Sequence, residues 1–234
     1  MRASHRMVGN TLPDAAATPT PMMPRREPDE VRVLYDGVMA ALNTDYGDGR
    51  RVGDCQYGVY LFYDYDGEPI YVGRTREKLR GRIRRHLTNQ RTDAVAMSVL
   101  DPFEVAEIEM WPFWNLTSSD ANETLDQAEY TVYQKALQHS IFSVVLNEKD
   151  IRPAEAIDLP KSVRVSVLPV TLRKQREHPD IRLARRARTI ANLAWVISER
   201  SVRPGIRRTL WAQARRLEHL ARTRLEEFEQ ADET

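Results

Sequence analysis

The segment Tyr57-Gly-Val-Tyr-Leu-Phe-Tyr-Asp-Tyr65, followed by Asp66-Gly67 and then by Ile70-Tyr-Val-Gly-Arg-Thr75, constrains the fold more than any other part of the chain. Aromatic and β-branched side chains crowd two short runs, and the Asp-Gly dipeptide between them suits a tight turn, so the pattern predicts an antiparallel β-hairpin. With Asp66-Gly67 as a two-residue loop, Phe62 lies opposite Tyr71 and Tyr60 opposite Gly73. Side chains alternate along strands, so Tyr60 and Tyr71 project from one face as diagonal neighbours, with Gly73 leaving space beside them. A four-residue loop keeps this parity; an odd loop or a bulge breaks it.

Around the hairpin the periodicity changes. Leu34, Val38 and Leu42 predict a short helix before it, and Leu79, Ile83 and Leu87 predict another over 77–88. Arg82 and His86 then lie one turn apart along the border of that apolar stripe. Residues 103–113 read as a third strand, and the Ser/Asp-rich stretch at 118–120 precedes a helix ending near His139. On that helix Leu125, Ala128, Val132 and Ala136 define the buried face, and Glu129 falls within the same arc, where a carboxylate needs a partner or a cation. Residues 142–147 form a short strand or extended segment ending in Asn147. Beyond 150, residues 161–169 alternate as a strand does, and two helices follow as an antiparallel hairpin with Pro204-Gly205 between them. Their expected buried faces are Leu183, Ala187, Ile190, Ala194 and Ile197 on the first, and Ile206, Leu210, Ala214, Leu217, Ala221 and Phe228 on the second.

Composition excludes some classes and misleads about another. No apolar run approaches a membrane span of about 18 residues, and the first residues lack the apolar core of a secretory signal. The lone Cys55 forms no internal disulfide and no thiolate cluster, so a cytoplasmic protein is expected. The 35 Lys and Arg against 34 Asp and Glu suggest neutrality. Along the chain, however, eight bases and one acid lie between Arg74 and Arg91, and fifteen bases and four acids between Arg173 and Arg224. Most are Arg, whose planar fork suits bidentate phosphate contacts. A solvated helix face explains such blocks equally well for the C-terminal one, and less well for the helix beside the tyrosines.

Gly58-Val59-Tyr60, Tyr71-Val72-Gly73, Arg82-Ile-Arg-Arg-His86, Glu129 in Leu-Asp-Gln-Ala-Glu-Tyr, and Asn147 in Val-Val-Leu-Asn stand in order along residues 56–150. Taken singly, the tyrosines suit packing, His86 a satisfied core position and Glu129 a structural ion pair. Together these residues resemble the GIY-YIG nuclease family. The resemblance implies an α/β domain with a small antiparallel three-stranded sheet flanked by helices, and the C-terminal basic helical hairpin read from the periodicity lies beyond it. The resemblance covers the nuclease domain (56–150); composition and periodicity outline the rest as an N-terminal disordered arm (1–28), a helix and linker (29–55) and a C-terminal strand and basic helical region (151–234) for DNA binding or dimerisation.

The same resemblance implies catalytic roles for Tyr60, Tyr71, Arg82, His86, Glu129 and Asn147. Glu129 is expected to ligate one divalent cation per active site, Mg²⁺ or Mn²⁺, and Tyr60 to act as general base with its phenol made more acidic by Arg82 and the metal. Gly73, Arg74, Arg76, Lys78, Arg80, Arg85, Arg185 and Arg188 are the expected nucleic-acid contacts. Trp195 and Trp211, off the apolar stripes, suit stacking on bases or packing at an interface. The implied substrate is DNA, double-stranded, cut by a restriction, phage-defence or mobile-element type of enzyme that works as a homodimer or by sequential nicking. No small-molecule cofactor and no membrane partner are expected. The competing expectation is a non-catalytic DNA- or RNA-binding module on the same scaffold.

Overall fold

A computed structural model describes residues 29–87, 99–147 and 149–232, leaving aside the side chains of Glu30 and Thr171. The expected disordered arm and the end of the first basic block, through Arg91, lie outside the described residues. In chain order the elements are α1 (Asp29–Leu42), β1 (Gly58–Tyr63), β2 (Pro69–Thr75), α2 (Leu79–Leu87), β3 (Glu107–Pro112), α3 (Ala121–His139), β4 (Val163–Ser166), α4 (Val170–Arg176), α5 (Pro179–Glu199) and α6 (Pro204–Asp232). All strand pairs are antiparallel, in the order β2-β1-β3-β4.

The sheet thus has four strands instead of three. The extra one comes from the alternating stretch beyond residue 150, where Ile108 on β3 pairs with Val165 on β4. Alternation marks a strand but carries no information about which edge it joins. The backbone groups on the open side of β3 supplied that edge.

Helices cover both faces, which is why all six residues of the central strand β1 are buried. On one face Tyr60, Phe62, Ile70, Ile108 and Met110 pack with Leu34, Val38 and Leu42 of α1 and with Leu79, Ile83 and Leu87 of α2. On the other, Val59, Leu61, Val72 and Trp111 pack with Leu125, Ala128, Val132 and Ala136 of α3. Gly37 lets α1 come against the chain after β4: a Cβ there would sit 1.8 Å from the carbonyl oxygen of Val167.

The hairpin has the expected register, Phe62 opposite Tyr71 and Tyr60 opposite Gly73, by an unexpected route. Tyr63 pairs with Pro69, which leaves a five-residue loop, and an irregularity between Phe62 and Tyr63 cancels the odd loop. Asp64 organises that loop, its carboxylate accepting from the backbone N–H groups of Asp66 (2.9 Å) and Glu68 (3.0 Å), while Gly67 takes a positive φ of 75°.

The C-terminal helices bury a different face from the one their apolar residues outline. On α5 the buried residues are Arg182, Arg186, Thr189, Leu193 and Val196, and on α6 Gly205, Ile206, Thr209, Ala212, Gln213, Arg216 and Leu220. Leu183, Ile190, Ile197, Leu210 and Leu217 are only half-buried, and Ala187, Ala194, Ala214, Ala221 and Phe228 are exposed. The reason is electrostatic. Asp64 and Glu104, both buried at the loop end of the sheet, draw three arginines inward. Arg186 reaches Asp64 at 2.9 Å and Glu104 at 3.1 Å, Arg182 reaches Asp64 at 3.4 Å and Asp66 at 2.5 Å, and Arg216 also bonds Asp64. Burial pushes the Glu104 carboxyl above its ordinary range, with Arg186 and then Arg182 pulling it back.

Candidate active site

The two hairpin tyrosines occupy the face covered by α2. Tyr60 is fully buried and its ring lies directly on Gly73, where a Cβ would come 2.4 Å from the phenol oxygen. No side chain fits that position without moving the tyrosine, so the second Gly of the hairpin is a packing requirement. The Tyr60 ring also meets Phe62 and His86, with centroids 5.2 and 6.0 Å away, and Tyr71 meets Phe62 at 5.8 Å and His86 at 5.3 Å.

The Tyr60 hydroxyl is buried with no hydrogen-bond partner of normal geometry among the described residues, and the same holds for Nε of Arg82. Burial drives the phenol well above its ordinary pKa, and Tyr71 pushes it further, while Arg82 pulls it down. The net displacement is upward, whereas the sequence reading expects a lowered value. Arg82 exerts the expected pull, but removing a phenolate from water costs more than one neighbouring cation returns.

A cleft of about 720 Å³ opens along the free edge of β2, where the two helical layers meet. Tyr71, Gly73, Arg74, Arg76, Arg82, His86, Glu129 and Asn147 all line it, whereas Tyr60 lies behind this wall. Side-chain alternation explains the arrangement. Tyr71 and Gly73 face α2 while Val72 and Arg74 face α3, so residues from both layers reach the same edge.

On the α3 side, Arg74 Nε sits 2.9 Å from Glu129 and the guanidinium also pairs with Asp126. Asp126 is one helical turn before Glu129 and lines the cleft too. Burial raises the Glu129 carboxyl, Arg74 lowers it, and Asp126 raises it again; the sum is upward. Among the described residues no three His, Cys, Asp or Glu side chains converge as a metal site. Two carboxylates facing an open cleft nevertheless suit Mg²⁺, which keeps several of its waters and is held by one or two carboxylates together with substrate phosphate. The donor set fits, with Arg74 as the competing cation.

Asn147 has a different environment. Its Nδ2 donates to the carbonyl of Val72 (2.7 Å) and its Oδ1 accepts from the Val72 N–H (3.1 Å), and Leu146 N–H donates to Ile70 (2.7 Å). The side-chain amide thereby imitates a neighbouring strand on the open edge of β2 and holds that edge between Tyr71 and Gly73.

The expected nucleic-acid contacts divide. Arg76 and Lys78 are exposed at the cleft end of α2, and Arg188 is exposed on α5. Arg80 is tied to Asp54 (3.2 Å) and Asn43 (2.9 Å), and Arg85 to Glu77. Arg185 pairs with Asp101 at 3.0 Å and stacks on Phe103, away from the residues that line the cleft. Sequence reasoning missed Asp126, Lys149 and Arg152, which also line the cleft. The signal for Asp126 was its place one turn before Glu129; for the other two it was their position just after Asn147. Trp195 and Trp211 are exposed on α5 and α6.

Among the described residues no helix is long and apolar enough to cross a membrane. Comparison with curated proteins and with solved structures finds no match. Comparison with protein families finds one that covers the hairpin, α2, β3 and most of α3: residues 56–137 match the GIY-YIG catalytic domain. Nucleases with this domain generally use a divalent metal, and their substrate is nucleic acid. Residues 56–137 of the chain are therefore a GIY-YIG catalytic domain, the phosphodiester-cleaving domain of a nuclease.

Proposed function

We propose that the protein is a metal-dependent endonuclease that hydrolyses phosphodiester bonds of double-stranded DNA in the cleft along β2. The observation that carries this reading is the convergence of Tyr71, Arg82, His86, Glu129 and Asn147, from four separate segments, on one open cleft beside the buried Tyr60. In the proposal Glu129, with Asp126 beside it, holds the cation. When bound, a divalent cation supplies positive charge to the scissile phosphate and to the leaving 3′ oxygen. Arg74, displaced from the two carboxylates, becomes available to a phosphate. Arg82 contributes a guanidinium to the non-bridging oxygens, and Tyr71 and His86 orient the attacking water from the cleft wall. Asn147 fixes the β2 edge that carries Tyr71.

Tyr60 remains the proposed general base. Burial opposes that role and Arg82 favours it, so the phenol loses its proton only when positive charge at the cleft rises in the working complex. The restriction, phage-defence or mobile-element setting and the use of two chains to cut both strands belong to the same proposal.

A supercoiled-plasmid assay with Mg²⁺, with Mn²⁺ and with chelator tests the reading. The wild type is expected to nick and linearise with metal, leaving 5′-phosphate and 3′-hydroxyl ends, and Glu129→Ala to bind DNA while losing roughly three orders of magnitude in rate. Full activity in Glu129→Ala overturns the metal assignment. A wild-type rate in Tyr60→Phe moves the base role to a residue that lines the cleft.

A further inference from the structure

We infer that the outer face of α6, through Arg208, Trp211, Arg215 and Arg222, is a second nucleic-acid contact that guides the DNA flanking the scissile phosphate into the cleft. These residues are separated by three, four and seven positions, so they form one line along the helix. The opposite face, from Ile206 and Thr209 to Arg216 and Leu220, is buried, which turns this line outward.

The line begins at the cleft. Arg208 pairs with Asp150, and Asp150 lines the cleft together with Lys149 and Arg152. From there the line continues through Trp211 and Arg215 to Arg222, with Glu218 the acid beside it. Arg215 lies over the Trp211 ring at 5.0 Å and donates to the carbonyl of Phe142 at 3.1 Å. Trp211 is 55% exposed, so an aromatic surface remains open between two guanidiniums. Arg222 pairs with Glu218 at 3.2 Å, where both side chains are largely solvated.

Nucleic acid is the occupant that this chemistry selects. Arg208 and Arg222 stand about 21 Å apart along the helix, at ~1.5 Å per residue, which matches about six phosphates of one strand at ~3.4 Å each. Their present carboxylate partners are exposed, and exposed ion pairs are weak enough to be exchanged for phosphate. The indole suits stacking on a base or sugar edge, a contact that needs no particular sequence.

This inference rests on the nuclease reading for its substrate, and its test separates the two. Binding of the full-length protein to a fluorescently labelled 30-base-pair duplex is followed by anisotropy in chelator across a salt series, so that no cleavage intervenes. The combined Arg208→Gln, Arg215→Gln and Arg222→Gln variant is expected to bind about 10- to 100-fold more weakly. Its log–log salt slope should fall by about 2.7, at ~0.9 per phosphate contact. Trp211→Ala is expected to bind about tenfold more weakly with the salt slope unchanged. In cleavage, the arginine variant should raise KM and keep kcat.

Arg32→Gln on α1, which removes one exposed charge elsewhere, should leave binding near wild type. If circular dichroism shows the triple variant unfolded, the three single variants are compared, each expected to lose about 0.9 of slope. A wild-type affinity and slope in these variants overturns the α6 contact even where the protein cuts DNA. A reduced slope in a protein that cuts nothing with Mg²⁺ or Mn²⁺ keeps the contact and overturns the nuclease reading of the cleft.

Discussion

Arg82 on α2 and Arg186 on α5 both belong to basic runs of the sequence, yet one lines an open cleft and the other is enclosed between Asp64 and Glu104. The partners explain the difference. Around the cleft the arginines meet exposed acids, as Arg85 meets Glu77, or carboxylates at the opening, as Arg74 meets Glu129 and Asp126. Of these, Arg85, Glu77 and Asp126 keep over 40% of their side chains exposed, and Arg74 31%. At the loop end of the sheet, Arg182, Arg186 and Arg216 have side chains only 3–4% exposed and share one buried aspartate. Desolvating those ions costs several kcal/mol each, so the arrangement persists only with every partner present. A run of arginine is therefore ambiguous until its carboxylates are located: in the first block Arg76 and Lys78 stay exposed, while Arg182, Arg186 and Arg216 of the second orient a helix pair on the sheet.

Removing the shared carboxylate breaks this comparison most sharply. Asp64→Ala leaves three buried guanidiniums facing one another and is expected to destabilise the protein by about 3–5 kcal/mol, read as a fall in denaturant midpoint. A midpoint near wild type would mean that α5 and α6 are held by apolar contact alone. Next in size is Arg82→Lys. The ammonium keeps the charge and loses the planar fork, so cleavage should fall by about 10²-fold with thermal stability unchanged. An equal loss of stability would place Arg82 with the structural arginines instead. The smallest expected effect belongs to Arg76→Gln with Lys78→Gln. Stability should change by less than about 0.5 kcal/mol, while the salt slope of DNA binding falls by about 1.8. An unchanged slope would leave both residues as ordinary solvated charge.

The hairpin was legible because its determinants are local. Alternation, an Asp-Gly dipeptide and a glycine opposite a tyrosine fix the pairing within about twenty residues, and the odd loop and the compensating irregularity left the register intact. Glu129 was legible for the same reason, since helical spacing alone puts it in the arc of Leu125, Ala128 and Val132. The buried faces of α5 and α6 were not. Apolar periodicity pointed to Leu183 and Ile190, but Arg182 and Arg186 turned inward toward Asp64, which lies more than a hundred residues earlier and outside any local spacing. Asn147 was expected at the site through the resemblance, while its bonds to Val72 depend on which strand edge is open.

The sequence by itself determined the hairpin, its register and the helices that flank it, because hydrophobic period and turn chemistry act between near neighbours. Three matters were decided only in the tertiary structure. Tyr60 is sealed from water, so burial outweighs the pull of Arg82 on its phenol. Glu129 shares Arg74 with Asp126. The second basic block is split between a buried network and an outer face. Each depends on electrostatic energy, which varies with distance and with exclusion of water, and both are properties of the packed molecule that no linear spacing contains.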